Sequence, residues 1–341
     1  MRALLAATLG ALIVCGASAS AQDVALQPYQ PHPVSVPKDA SYLRPDGSIY
    51  IVGDDATDEM MAKLDALFEK THPGFKFTLL LKGSSTGIGG LTSGVSAMAP
   101  MGRPGWLSDL SAFKEAYGYP ATDIHVGYDA YMHDKHKSPP ALYVNAQNPL
   151  AGLTLAQAAR IFTSGGGKGD ITHWNQLGLK GAWQHREIHL YGPRDDGALA
   201  TSLRENLMGK LPFSSRYETF EHLADVVKAV AQDPYGIGLV GFFDPKTVPE
   251  VKLLPMAAAE GQPFAAPTYE NVKAGRYPFA SSLRVYVNRK PGAPLDPFVK
   301  EYMRMVLSRE GQAIIESCKD NEQGFVPLEP AAAAAELAKL Q

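Results

Sequence analysis

The sequence predicts an α/β fold with parallel strands, on three observations. Short apolar runs of strand length alternate with stretches whose apolar residues recur at helical spacing. Polar, glycine-bearing loops follow strands and open helices, the arrangement of α/β units. The chain of 341 residues is 45% hydrophobic and 20% charged, enough for a globular core in two domains or in one domain of two lobes.

The chain opens with MRALLAATLGALIVCGASASAQD. Arg2, the apolar segment Ala3 to Val14 and the small-x-small site Ala19-Ser20-Ala21 read as a secretory signal peptide over residues 1–21, which predicts export to the periplasm. The apolar stretch is short for a membrane span, and bulky Val14 before Cys15 suits a lipoprotein poorly. Cleavage would leave Cys318 as the sole cysteine, so no internal disulfide is expected. Residues 22–45 are rich in proline and read as an extended leader.

SIYIVGDD (48–55) is a strand ending in a glycine turn. In TDEMMAKLDALFEKTHPG, Met60, Met61, Leu64, Leu67 and Phe68 share a helical face, and Pro73-Gly74 ends the helix. FKFTLLL (75–81) is the next strand, and KGSSTGIGG leads to a helix beginning at about Gly87. The pattern repeats in ALYVNAQNPLAGLTLAQAARIFTSG, with Thr154 as N-cap, and in EIHLYGPRDDGALATSLRENLMG. ADVVKAVAQDPYGIGLVGFFD is a helix, a turn and a strand; SSLRVYVNRK and DPFVKEYMRMVLSREGQAIIES add a strand and an amphipathic helix. The tail PAAAAAELAKLQ reads as a frayed helix without chemistry.

Two polar loops therefore sit at carboxyl ends of strands, where a helix N-terminus offers unpaired N–H groups to an anion. The first holds Ser84, Ser85 and Thr86; it lacks the lysine of a phosphate-binding P-loop. The second, GPRDDGALATS, pairs Arg194 with Asp196 and Gly197, either a guanidinium fork for an oxyanion or a surface ion pair beside a turn. Arg103, in MAPMGRPGW, either points into the same cleft or is an ordinary exposed arginine. His133 and His136 stand three apart with no third ligand, so no metal site or other cofactor is expected. No nucleophile–base pair is visible, which argues against an enzyme. Net charge is −3 with no basic stripe, which argues against nucleic acid.

Several stretches together resemble the periplasmic phosphate-binding proteins of ABC transporters, the PstS type, over about residues 48–328. The most specific likeness is NPLAGLTLAQAARIFTSG…ITHWNQLG, where Leu153, Thr154, Ile161, Phe162, Trp174 and Leu177 fall in step with that family. GSSTGIGGLTSGVSAMAPMGRP and PRDDGALAT are similar to its two ligand loops, and DPYGIGLVGF, AGRYPFASSLRVYVN and GQAIIESCKDNEQGFVPL follow in its order. The resemblance implies a periplasmic binding protein type II-like fold: two α/β lobes joined by crossing hinge strands, with a ligand cleft between them. It implies a first lobe over 46–138, a second over 139–255, a return to the first over 256–328 and a tail over 329–341, with crossings near Ser138–Tyr143 and in 245–282.

Carried over by position, Ser84, Arg194, Asp196 and Gly197 stand where that family contacts phosphate, and Ser85, Thr86 and Arg103 join them as candidates. Asp55 and Thr57 fall in its first-lobe turn, where an aspartate repels a dianion unless it accepts the ligand's proton. The family's Ser-Gly-Thr is Ala198-Leu199-Ala200 here, and its Asp or Ser after the first-lobe strand falls on Gly102. The resemblance implies a monomer that captures phosphate or a related oxyanion for an inner-membrane ABC permease. The lost hydroxyls leave an alternative, in which the eroded site serves another small molecule or a protein partner.

Overall fold

The computed structural model describes residues 25–132, 139–241, 248–321 and 323–341. The expected signal peptide, His133, His136 and Ser138 lie outside them.

The chain enters the first lobe through β1 (Ile49–Gly53), α1 (Asp58–Thr71), β2 (Phe77–Leu81), α2 (Ser84–Thr92), β3 (Ala99–Met101), α3 (Leu107–Tyr117) and β4 (Thr122–Asp129). β1 and β2 pair in parallel, as the strand–helix–strand pattern predicts, with Ile49 opposite Phe77 and Gly53 opposite Leu81. The helical face read in the sequence is the face α1 buries, through Met60, Met61, Leu64 and Phe68. Asp58 and Glu59 in its first turn and Lys70 in its last complement the helix dipole.

The second lobe holds β5 (Ala141–Asn145), β6 (Leu153–Thr154), α4 (Leu155–Phe162), β7 (His189–Pro193), α5 (Ala198–Asn206), β8 (Tyr217–Phe220), α6 (Leu223–Gln232), β9 (Gly236–Val240), β10 (Val251–Leu254), β11 (Met256–Ala257) and α7 (Tyr269–Lys273). Five strands form one mixed sheet in the order β10-β5-β9-β7-β8; β7 runs parallel to β8 and β9, and β5 antiparallel to β9 and β10. α4 starts on a capping box in which the Thr154 hydroxyl accepts from Gln157 N and the Gln157 amide oxygen accepts from Thr154 N.

The return to the first lobe comes at β12 (Ser281–Val287), later than residue 256. β11 pairs with β6, and Val272, Tyr277 and Phe279 pack in the second lobe's core, so residues 256–280 stay with that lobe. α8 (Pro297–Val306), α9 (Arg309–Glu316), β13 (Val326–Pro327) and α10 (Pro330–Ala338) follow. The first lobe's second sheet has the order β13-β4-β12-β3 and is antiparallel throughout. The expectation of parallel strands therefore holds for only part of each lobe.

Both ends of the described chain are docked. Leu26, Tyr29, Val34 and Val36 of the leader pack on the first core, and the Tyr29 hydroxyl donates to Glu301 Oε1 at 2.8 Å. The tail is not frayed: α10 buries Ala333, and Glu336 accepts the His125 backbone N–H at 2.9 Å.

One carboxyl is buried inside the first core. Asp65, on α1, is 6% exposed and accepts a hydrogen bond from the Tyr302 hydroxyl at 2.6 Å. Its second oxygen has no hydrogen-bond partner among the described residues. Burial pushes the Asp65 carboxyl up to about 7, against the lowering effect of Tyr302. An acid whose folded pKa is raised holds its proton longer in the native state. Its contribution to stability is full below the unfolded pKa and is lost as pH rises through about 7. Asp65→Asn is therefore expected to flatten the fall in stability between roughly pH 4 and pH 7, by on the order of 3–4 kcal/mol. Urea unfolding across that range checks it; an unaltered slope would show that the carboxyl ionises without cost.

Candidate functional site

Three chain segments of the first lobe meet where β1, β2 and β3 end. α2 begins at Ser84, not near Gly87, so the glycine-serine loop is itself the first turn of the helix. Gly83 precedes it at φ 135°, a conformation that L side chains rarely adopt. Further along, a Cβ at Gly90 would lie 2.8 Å from Val52 Cβ, and one at Gly87 3.2 Å from Gly53 Cα. The glycines let α2 lie directly on β1, which aims its N-terminus at the strand ends. The Ser84 and Ser85 N–H groups, free in the first turn of any helix, have no acceptor among the described residues.

The three hydroxyls of this turn differ in what they can still donate. Thr86 Oγ1 donates to the Gly83 carbonyl at 2.6 Å, and Ser84 Oγ donates to Asp54 Oδ2. Ser85 Oγ accepts from Arg103 Nη2 at 2.8 Å and keeps its own proton for another partner.

Asp54 ties the three segments together. Oδ1 accepts from Ala56 N at 3.0 Å, and Oδ2 accepts from Ser84 Oγ and from Gly102 N at 3.2 Å. A Cβ at Gly102 would stand 3.2 Å from Asp54 Oδ2 and 3.9 Å from Asp129 Oδ2. The space beside β3 that a side chain at 102 would need is thus filled by a carboxylate from the end of β1. The resemblance points to Asp55 in this turn, but Asp54 makes these bonds.

Arg103 lies in the cleft and is held on all sides. Nη1 donates to the Pro104 carbonyl and to Asp109 Oδ2, both at 3.0 Å, and the guanidinium stacks 3.7 Å above the Trp106 ring. Asp109 also accepts Trp106 N at 3.1 Å, where α3 begins. Trp106 in turn reaches across to the other lobe: its Nε1 donates to Ser202 Oγ on α5 at 3.1 Å.

Between the lobes lies a cleft of about 430 Å³. Ser84, Ser85, Thr86, Arg103 and Asp55 line it, together with Asp54, Lys82, Trp106, Asp129 and Ser281 of the first lobe. Pro139, Pro140, Ala198, Leu199 and Ser202 line the opposite side. Arg194, Asp196, Gly197 and Thr57 are not among the lining residues. Arg194 is 57% exposed and donates Nε and Nη2 to the two Asp196 oxygens at 3.0 and 2.7 Å, with Glu221 3.5 Å from Nη1. The Asp196 carboxylate, held by Arg194, is pushed below its usual range, as an ion pair requires. Gly197 is the N-cap of α5, and Thr57 is buried with its hydroxyl on the Asp54 carbonyl at 2.7 Å.

Lys82, Trp106, Ser202, Asp129 and Ser281 carried no signal of their own in the sequence. Lys82 stood in the quoted loop and could have been weighed as a cation; the others needed the fold. Among the described residues no group of three or more His, Cys, Asp or Glu could hold a metal ion, and no helix is long and apolar enough to cross a membrane.

Residues 40–310 match the model of the PBP superfamily domain. The chain is 32% identical to the phosphate-binding protein PstS of Pseudomonas aeruginosa over 285 residues, 83% of each protein. Among solved structures it is similar in fold to PstS from Borrelia burgdorferi, with a TM-score of 0.55 and 19% identity, covering 82% of this chain and 98% of that one. It is likewise similar to an ABC-type phosphate transport receptor from Vibrio cholerae, with a TM-score of 0.52 and 19% identity, covering 82% and 99%. With a family model over residues 40–310 and 32% identity across 83% of each protein, the chain belongs to the PstS family of phosphate-binding proteins, within the PBP superfamily.

Proposed function

We propose that the protein is a periplasmic solute-binding protein that captures phosphate or a related oxyanion in this cleft and delivers it, as a monomer, to an ABC permease. One observation carries the reading: the Ser84 and Ser85 N–H groups at the start of α2, without an acceptor among the described residues, line the cleft between the lobes together with Ser85 Oγ, Arg103 and Lys82. Backbone donors at a helix start, a hydroxyl and two cations form an anion site. The names of the relatives support the ligand class and the transport role. The N-terminal signal pattern supports export. An eroded site serving an unrelated partner is not favoured, because the α2 donors and Arg103 remain in place.

Isothermal titration of ligand-stripped protein with phosphate is expected to give saturable heat. Ligand at a hundred times its Kd should add about 2.7 kcal/mol of stability. No heat and no thermal shift at millimolar phosphate, arsenate and sulfate would end this reading.

Arg103→Ala is expected to cost about 2–5 kcal/mol of binding, roughly thirty-fold to several-thousand-fold in affinity. Arg194→Ala should cost less, since that guanidinium is exposed and already paired outside the cleft. The reverse order of effects would show that lobe closure brings Arg194 to the ligand.

In this conformation the Trp106–Ser202 bridge joins the two lobes. Phosphate should reduce the radius of gyration in small-angle scattering, by hinge closure. Trp106→Phe, which loses a hydrogen bond of about 0.5–1.5 kcal/mol, should enlarge the ligand-free particle. Identical scattering profiles for both proteins would remove the bridge from lobe positioning.

A further inference from the structure

The guanidinium in the cleft is held by a peptide group that is itself held from behind. Arg103 Nη1 donates to the Pro104 carbonyl at 3.0 Å. The N–H of that same peptide unit belongs to Gly105, and it donates to the Tyr286 hydroxyl at 2.8 Å. A peptide unit is planar, so the direction of its N–H fixes the direction of its C=O. Whatever orients Gly105 N therefore orients the carbonyl on which Arg103 rests.

Tyr286 stands on β12, opposite Ala99 of β3 and Asp123 of β4. It is 2% exposed, packs with Ala99, Met101 and Phe113, and is not among the residues that line the cleft. Its hydroxyl donates to Asp123 Oδ2 at 3.3 Å, and Asp123 Oδ1 accepts from Arg284 Nη1 at 3.2 Å. Burial pushes the Tyr286 hydroxyl up to about 12, so it stays neutral and keeps the proton it donates. Gly105 fits this close packing: a Cβ there would lie 2.8 Å from Leu110 Cδ2 and 3.4 Å from the Tyr286 hydroxyl oxygen. A series of hydrogen bonds thus runs from Arg284 through Asp123, Tyr286 and the Pro104–Gly105 peptide to Arg103. Bonds linked in this way polarise one another.

We infer that Tyr286 is a positioning residue for ligand capture: from behind the cleft it fixes the Pro104–Gly105 peptide, and through that peptide's carbonyl it aims the Arg103 guanidinium. This rests on the oxyanion reading above and adds to it a residue that touches no ligand. Asp109 and Ser85 restrain the guanidinium directly; Tyr286 restrains the backbone beneath it.

Two readouts test the inference. Calorimetric titration with phosphate should show affinity falling roughly two- to tenfold in Tyr286→Phe, the worth of one hydrogen bond. The emission of Trp106, on which Arg103 stacks at 3.7 Å, should also change in the ligand-free variant. It is read as the difference between each protein and its Trp106→Phe counterpart. Both changes should shrink when Tyr286→Phe is made in Arg103→Ala, because residues that act through one another are not additive. Equal changes in the two backgrounds would assign Tyr286 to stability alone and overturn the inference. So would unchanged phosphate affinity in Tyr286→Phe, verified as folded by its thermal transition, beside a wild type that binds. No heat with the wild type overturns the oxyanion reading, and this inference with it. Should Tyr286→Phe fail to fold, Asp123→Asn weakens the acceptor of the hydroxyl instead. It is expected to shift both readouts the same way, and no shift in either overturns the inference.

Discussion

The first lobe's half of the cleft depends on one carboxylate. Asp54 receives Ala56 N just beyond β1, Ser84 Oγ at the start of α2 and Gly102 N at the end of β3. A single side chain thereby sets the relative position of three segments that are far apart in sequence. It also uses up the Ser84 proton, so the turn offers a ligand its backbone N–H groups and Ser85 in preference to its full set of hydroxyls. Gly102 is part of the same arrangement: a side chain there would press on Asp54 Oδ2 at 3.2 Å. Position 54 and position 102 therefore constrain each other, and the absence of a side chain at one permits the carboxylate at the other.

Local pattern was legible wherever the physics is local. Met60, Met61, Leu64 and Phe68 announce the buried face of α1 by spacing alone, and Thr154 with Gln157 announces the start of α4 by its capping chemistry. α2 was misplaced because Gly and Ser are poor helix formers. Its helix is stabilised by packing on Val52 and Gly53, which no local propensity reveals. The N-terminal leader looked like a linker for a similar reason: Tyr29 finds Glu301 and Glu310 only once α8 and α9 are folded beneath it.

The candidate site was legible as a pair of loops but not as a set of contacts. Ser84, Ser85, Thr86 and Arg103 come together, because the loop after β2 and the loop after β3 end on the same edge. The choice between Asp54 and Asp55 turns on a single short turn whose direction depends on Gly102. Arg194 illustrates the opposite limit. Its spacing from Asp196 suits a ligand fork and a surface ion pair equally, and its exposure favours the second use in this conformation. The Trp106–Ser202 bridge joins residues in different lobes, which sequence order does not bring together.

That bridge has an optical consequence. The chain has three tryptophans. Trp174 is wholly buried in the second lobe, and Trp183 packs edge-on against it at 5.7 Å between ring centroids. Trp106 alone lies at the junction of the lobes, beneath a guanidinium and bonded across the cleft. Any movement of one lobe against the other changes the polarity and the quenching charge around that one indole, while the other two report a constant background. The molecule thus carries a built-in fluorophore for the state of its own cleft, without a label and without a second engineered site.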